Sequence, residues 1–230
     1  MNKNRKTAII VGVLFIIATT FFMIGQSFYD PIIKSDDVLD NAYPERFSLI
    51  TGMTIGFIAI FAIILIPVFM FPILKKYNES LALGYVGFRI LEGGFLAISL
   101  IGTLAFINMS QKFIESGSVL TSDISLLVNT IQALSNWAVI FSISFLFATG
   151  GLIFYYLLYK TKLIPRFLSG WGFIAEIILL VGVVLILFES FPGISPVVLE
   201  VIFALPIAVQ EMVMALWLII KGFNSKSKLY

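Results

Sequence analysis

Gly87-Phe-Arg-Ile-Leu-Glu-Gly-Gly94 decides how this chain is read. It lies within Leu81 to Asn108, a run whose only charged residues are Arg89 and Glu92. An ionisable side chain in so apolar a run is costly unless it has a partner or a water-filled cavity. The run is long enough to cross a bilayer as a helix, which takes about 20 residues. The same reading extends outward. Of 230 residues, 60% are hydrophobic and 12% charged, and mean hydropathy is +1.05. Soluble domains average about 45–50% apolar and about 25% charged. The fold class expected is an all-α, polytopic membrane protein, a bundle of six transmembrane helices in a single integral membrane domain.

The expected helices are 7–28, 48–71, 81–108, 128–159, 167–188 and 197–220. A signal peptide is the rival reading of the first. Its apolar core should be about 7–15 residues and end at a small-residue cleavage site, which Phe22-Met-Ile-Gly-Gln-Ser-Phe28 does not offer. Tyr29 to Phe47 is the longest polar stretch and is acidic, with Asp30, Asp36, Asp37, Asp40 and Glu45 against Lys34 and Arg46. It is expected as a solvated loop holding a short surface helix, since its acids match no calcium-loop spacing. Gly52 and Gly56 have the spacing that lets a neighbouring helix approach closely. Pro67 and Pro72 mark a kink or fraying of the second helix. Tyr155, Tyr156 and Tyr159 read as an interfacial belt, and Glu189 to Pro196 as a loop of proline and glycine.

Charge distribution gives the orientation. Lys3, Arg5 and Lys6, the turns with Lys75, Lys76, Lys160, Lys162 and Arg166, and the tail with Lys221, Lys226 and Lys228 fall on one side with a single acid, Glu79. The other side carries Lys34, Arg46 and Lys112 against Asp30, Asp36, Asp37, Asp40, Glu45, Glu115, Asp123 and Glu189. By the positive-inside rule both termini are cytoplasmic, as an even number of helices requires.

Four ionisable residues remain inside the expected membrane segments: Arg89, Glu92, Glu176 and Glu211, with Glu200 near the outer end of the sixth helix. At about 1.5 Å per residue, Glu92, Glu176 and Glu211 each lie on the order of 13–17 Å from the cytoplasmic end of their helix, near the midplane. Arg89 and Glu92, three residues apart, share a helical face. Ser169, Gly172 and Glu176 form one stripe of the fifth helix, and Ala208, Glu211 and Ala215 one stripe of the sixth. Small residues flanking a polar one indicate helix–helix contact rather than lipid. Pro206 frees the carbonyl of Ile202 one turn outside Glu211. One arginine cannot neutralise three carboxylates, so the uncompensated acids should hold protons unless water or a bound cation is present.

With neither cysteine nor histidine, disulfides, thiolate nucleophiles, His acid/base catalysis and the usual transition-metal ligand sets are excluded. No HExxH or GxSxG pattern occurs, no catalytic residue is assigned, and no metal or cofactor is expected. The partners expected are the lipid bilayer and a small cation or polar ligand; nucleic acid is not expected.

Pro72-Ile-Leu-Lys-Lys-Tyr-Asn-Glu-Ser-Leu-Ala-Leu83, Leu163-Ile-Pro-Arg-Phe-Leu-Ser-Gly-Trp-Gly172 and Leu205-Pro-Ile-Ala-Val-Gln-Glu-Met-Val-Met-Ala-Leu-Trp-Leu-Ile-Ile-Lys-Gly-Phe223 resemble segments of membrane proteins catalogued as domain of unknown function 4386. The resemblance covers nearly the whole chain and is most specific at Glu211, Trp217, Lys221 and Gly222. It implies a bacterial multi-pass protein of the cell membrane and no particular activity. Two functions remain open. One is a small proton- or cation-linked transporter, or ligand-binding module, with a midplane site at Arg89, Glu92, Glu176 and Glu211. The other is a non-enzymatic membrane factor, such as a sensor, immunity or assembly partner, whose buried charges are a structural clamp. An intramembrane enzyme stands third, since only a carboxylate pair could perform chemistry.

Overall fold

A computed structural model of the protein describes residues 3–119, 121–188, 190, 193–194, 196–224, 227 and 229. Among these no strand occurs. The helices are α1 (Lys3–Ile33), α2 (Val38–Asn41), α3 (Arg46–Leu74), α4 (Glu79–Glu115), α5 (Ser122–Phe141), α6 (Ala148–Thr161), α7 (Arg166–Leu187) and α8 (Pro196–Ile220), with one turn and more of π-helix, Ser142–Phe147, joining α5 to α6. Among the described residues, six helical stretches are long and apolar enough to cross a membrane: Asn4–Ile33, Arg46–Leu74, Glu79–Glu115, Ser122–Thr161, Arg166–Leu187 and Val201–Ile220. Helices are the expected outcome, because a segment surrounded by lipid must satisfy its backbone hydrogen bonds within itself.

Several helices outrun the limits read from hydropathy. Hydropathy registers only the hydrocarbon-spanning part, whereas capping groups set where the backbone winds. Asn78 Oδ1 accepts from Leu81 N at 2.9 Å and starts α4 two residues early. Thr121 Oγ1 accepts from Ile124 N at 3.4 Å, and α5 begins with Asp123 in its first turn, where a negative charge suits the helix dipole. The helix expected at 128–159 thus starts at Ser122 and is interrupted by the π segment. α3 stays helical through Pro67 and Pro72, and α8 through Pro206. The loop expected at 189–196 lies largely outside the described residues, as do the side chain of Glu200 and the tail residues Lys226 and Lys228.

The chain forms two compact units. The first comprises Met1–Ile16, Ala62–Glu92 and Ile143–Tyr230; the second comprises Ile17–Phe61 and Gly93–Ser142. In the first, α7 packs against both α6 and α8. The start of α1 is held to the end of α8 by two devices. A Cβ on Gly12 would stand 2.7 Å from the carbonyl oxygen of Ala215, so only glycine permits that approach. Arg5 donates from Nη1 to Leu218 O at 3.0 Å and from Nη2 to Ile219 O and Ile220 O at 2.6 and 3.1 Å. A helix leaves its last four carbonyls without intrahelical donors, and Arg5 caps three. It therefore has a structural contact beyond its part in orientation.

In the second unit a Cβ on Gly52 would meet Phe28 Cβ at 2.7 Å and Gly25 O at 2.8 Å, and one on Gly56 would meet Leu100 at 3.1 Å. The two glycines serve internal packing of α3 against α1 and α4. The acidic segment divides by residue type. Asp36, Asp37 and Asp40 are exposed, whereas Val38, Leu39 and Ala42 join Ile32, Leu49, Phe106, Phe113 and Val128 in a buried cluster. The short α2 is an amphipathic cover over that cluster. Tyr43 N donates to Ser110 Oγ at 2.8 Å, which ties the segment to α4.

Candidate functional site

All four ionisable residues singled out above belong to the first unit and are buried: Arg89 2% exposed, Glu92 2%, Glu176 0% and Glu211 7%. Arg89 and Glu92 come from α4, Glu176 from α7 and Glu211 from α8. Arg89 Nη1 donates to both Glu92 oxygens, at 3.0 Å to Oε2 and 3.2 Å to Oε1. The three-residue spacing produces this contact within one helix. Arg89 Nη2 lies 3.7 Å from Glu211 Oε1, a contact that only packing of α8 could supply. The structure thus joins Arg89, Glu92 and Glu211 by direct contacts and places Glu176, in the same unit, within longer electrostatic range of them. Glu200, the fifth residue considered, has no described side chain.

Glu176 differs from the other two acids. Neither of its carboxyl oxygens has a hydrogen-bond partner among the described residues, and Arg89 Nε and the Tyr85 hydroxyl share that condition. The carboxyl occupies the space over Gly151 of α6, where a Cβ would fall on Glu176 Oε1 and Cδ. Space for the acid is therefore made by the missing side chain of a facing glycine. An ionised carboxylate held there without donors carries a penalty of several kcal/mol even after relaxation. A proton removes most of it.

The walls are aromatic and polar. Arg89 Cζ stands 4.7 Å from the Phe147 ring centre and 5.6 Å from that of Tyr85, distances at which a ring face attracts a cation. Phe147 is the last residue of the π segment, and such irregular turns often occur at functional positions. Tyr85 stacks on Phe154 at 4.6 Å. Tyr155 OH donates to Gln210 Oε1 at 2.5 Å, and Gln210 Nε2 donates to Leu168 O at 2.9 Å. This chain bonds α6, α8 and α7 together in the same unit.

Tyr155 therefore corrects the belt of three tyrosines. It is 1% exposed and lies against Gly172, where a Cβ would run into its ring. Tyr156 and Tyr159 do face outward, under Lys160 Nζ at 5.5 Å and Arg166 Cζ at 5.1 Å respectively. Helical phase does not separate the three, since residues 155 and 159 lie only about 40° apart and 155 and 156 about 100° apart around the axis; Tyr155 is buried because Gly172 of α7 and Gln210 of α8 pack against it. Gln210, Tyr85 and Phe147 were also missed. An amide beside Glu211 in an apolar helix was a visible signal for Gln210, but nothing local marks Tyr85 or Phe147.

Among the described residues, no three His, Cys, Asp or Glu side chains are grouped so as to hold a metal ion. The arrangement is one guanidinium in contact with two carboxylates and a third buried carboxyl without a hydrogen-bond partner among the described residues. The family whose model matches this chain, over residues 10–222, is described as a domain of unknown function, DUF4386. No curated protein and no solved structure matches it.

Proposed function

For a chain that belongs to the DUF4386 family, we propose that the buried group at Arg89, Glu92, Glu176 and Glu211 is the proton-coupling site of a small transporter, with Glu176 as the group that takes up and releases the proton. The protein is read as a multi-pass component of a bacterial cell membrane with both termini in the cytoplasm. Its basic turns and tail support that orientation through the positive-inside rule. The observation that carries the proton reading is the pair of Glu176 oxygens, buried and without a donor among the described residues, beside a guanidinium already engaged by Glu92 and Glu211. Intramembrane ionisable residues in this condition commonly serve proton relays.

The second reading, a structural clamp, is favoured by the bonding of Arg89 to Glu92 within α4 and by its reach to Glu211 in α8. Infrared spectroscopy of the purified protein in lipid separates the two. The proton reading expects the stretching band of a protonated carboxyl at neutral pH, diminishing as pH rises and missing from Glu176→Gln. It also expects that variant to retain wild-type melting. A spectrum without such a band at any pH, or a band that Glu176→Gln leaves intact, returns the group to the clamp.

A further inference from the structure

The second unit contains a half-open cleft of about 300 Å³ between α1, α4 and α5. Its wall includes Gln26 of α1, Ser99 and Thr103 of α4, and Ser135 and Asn136 of α5, with Tyr29 beside them. None of the first five side chains has a hydrogen-bond partner among the described residues. That is unusual for hydroxyls in helices, which ordinarily bond back to a carbonyl one turn earlier. Thr51, Thr54 and Thr130 do so here, to Phe47 O, Ile50 O and Leu126 O at 2.8, 2.8 and 2.7 Å. The hydroxyls at the cavity are left available. Thr103 is buried and Gln26, Ser99 and Ser135 are half-buried, and polar groups without a partner in apolar helices call for a polar occupant.

We propose that this cavity is a binding site for a small neutral polyhydroxylated solute. Two carboxamides and three hydroxyls present both donors and acceptors and no charge. The one nearby ion pair, Lys34 Nζ to Asp30 Oδ2 at 2.6 Å, neutralises itself. An ionic ligand finds no free counter-charge in this wall, and an apolar one leaves its buried and half-buried polar groups without a partner. Lys34 and Gln132 also line a second cavity of about 340 Å³, walled by Ser35, Asp36, Asp37, Ser125 and Asn129. This second space lies at the exposed acidic segment. The inference shares no residue with the Arg89 group and stands or falls apart from the proton reading.

Because the chain has no cysteine, a single Thr103→Cys reports on this space alone. The purified full-length protein, in glycerol-free detergent solution, is treated with a small charged methanethiosulfonate reagent with and without mannitol as probe. The expected result is modification in the folded protein, slowed about tenfold when mannitol is at ten times its Kd, as simple competition requires. Ser99→Cys, at a half-buried position of the same wall, carries the same measurement if the buried substitution does not fold. No modification at either position means a closed, dry space and overturns the proposal. So does modification that mannitol does not slow, or that glycine betaine slows instead. Slowing by phosphatidylglycerol nanodiscs without mannitol, and not by phosphatidylcholine nanodiscs, identifies a lipid headgroup as occupant and overturns the soluble-solute assignment.

Discussion

Replacing Gly151 with alanine tests whether the Glu176 carboxyl occupies the space described for it. Alanine is the better helix former by about 1 kcal/mol, so propensity alone expects Gly151→Ala to stabilise α6. Packing expects the reverse. All three atoms nearest the added Cβ belong to Glu176, with Cγ at 3.0 Å and the carboxyl closer still. Glu176 is fully buried, so its carboxyl cannot retreat into solvent. Overpacking of this kind costs about 1–3 kcal/mol. Set against the propensity gain, the net expectation is a loss of up to about 2 kcal/mol. Gly87→Ala is the control, since its Cβ would meet nothing within 4 Å, and it should be neutral or gain up to about 1 kcal/mol. The assay is thermal unfolding in one detergent of wild type, both glycine variants, Glu176→Ala, and Gly151→Ala combined with Glu176→Ala. With the carboxyl removed, Gly151→Ala should cease to destabilise, giving a coupling of about 1–3 kcal/mol in the double-mutant cycle. A Gly151→Ala protein that melts above wild type, with Glu176 present, refutes the placement of the carboxyl over Gly151.

Arg89→Leu removes the partner of Glu92 and Glu211 and should cost about 3–5 kcal/mol, while adding Glu92→Leu should recover a large part of it; thermal unfolding of the two variants decides, and equal loss in both counts against the buried pair. Tyr155→Phe leaves Gln210 Oε1 without its donor and should cost about 1–3 kcal/mol, whereas Tyr156→Phe, at an exposed position, should melt as wild type does. For orientation, single cysteines at Lys75 and Lys162 should react with a membrane-impermeant maleimide only after cells are opened. Cysteines at Asp36 and Glu115 should react in intact cells, and the opposite pattern would invert the assigned topology.

Much of the architecture was legible in local sequence. Hydropathy located the six apolar helices, because lipid imposes one backbone solution on any long apolar run. The stripes Ser169, Gly172, Glu176 and Ala208, Glu211, Ala215 pointed to helix contact faces, and in the first unit Gly172 and Glu176 lie against α6, Glu211 against Arg89 of α4 and Ala215 against Gly12 of α1. Helix ends were less legible. Caps such as Asn78 and Thr121 are polar residues beyond the apolar run, and the π segment Ser142–Phe147 has no local signature within an apolar helix. Tyr155 shows the same limit. Its neighbours Tyr156 and Tyr159 face outward, and only the packing of Gly172 and Gln210 against it explains why it does not.

The contact between Arg89 and Glu92 follows from sequence, because three residues of helix bring their side chains to one face whatever the rest of the chain does. Composition likewise required that one cation could not satisfy three buried acids. Which acids share the guanidinium is a tertiary matter. It depends on α8 bringing Glu211 to 3.7 Å from Arg89, and on α7 seating Glu176 over Gly151 of α6 instead. Side-chain partners on separate helices are chosen by the packing of small residues that sets how the helices approach, a relation between distant segments that no local pattern contains.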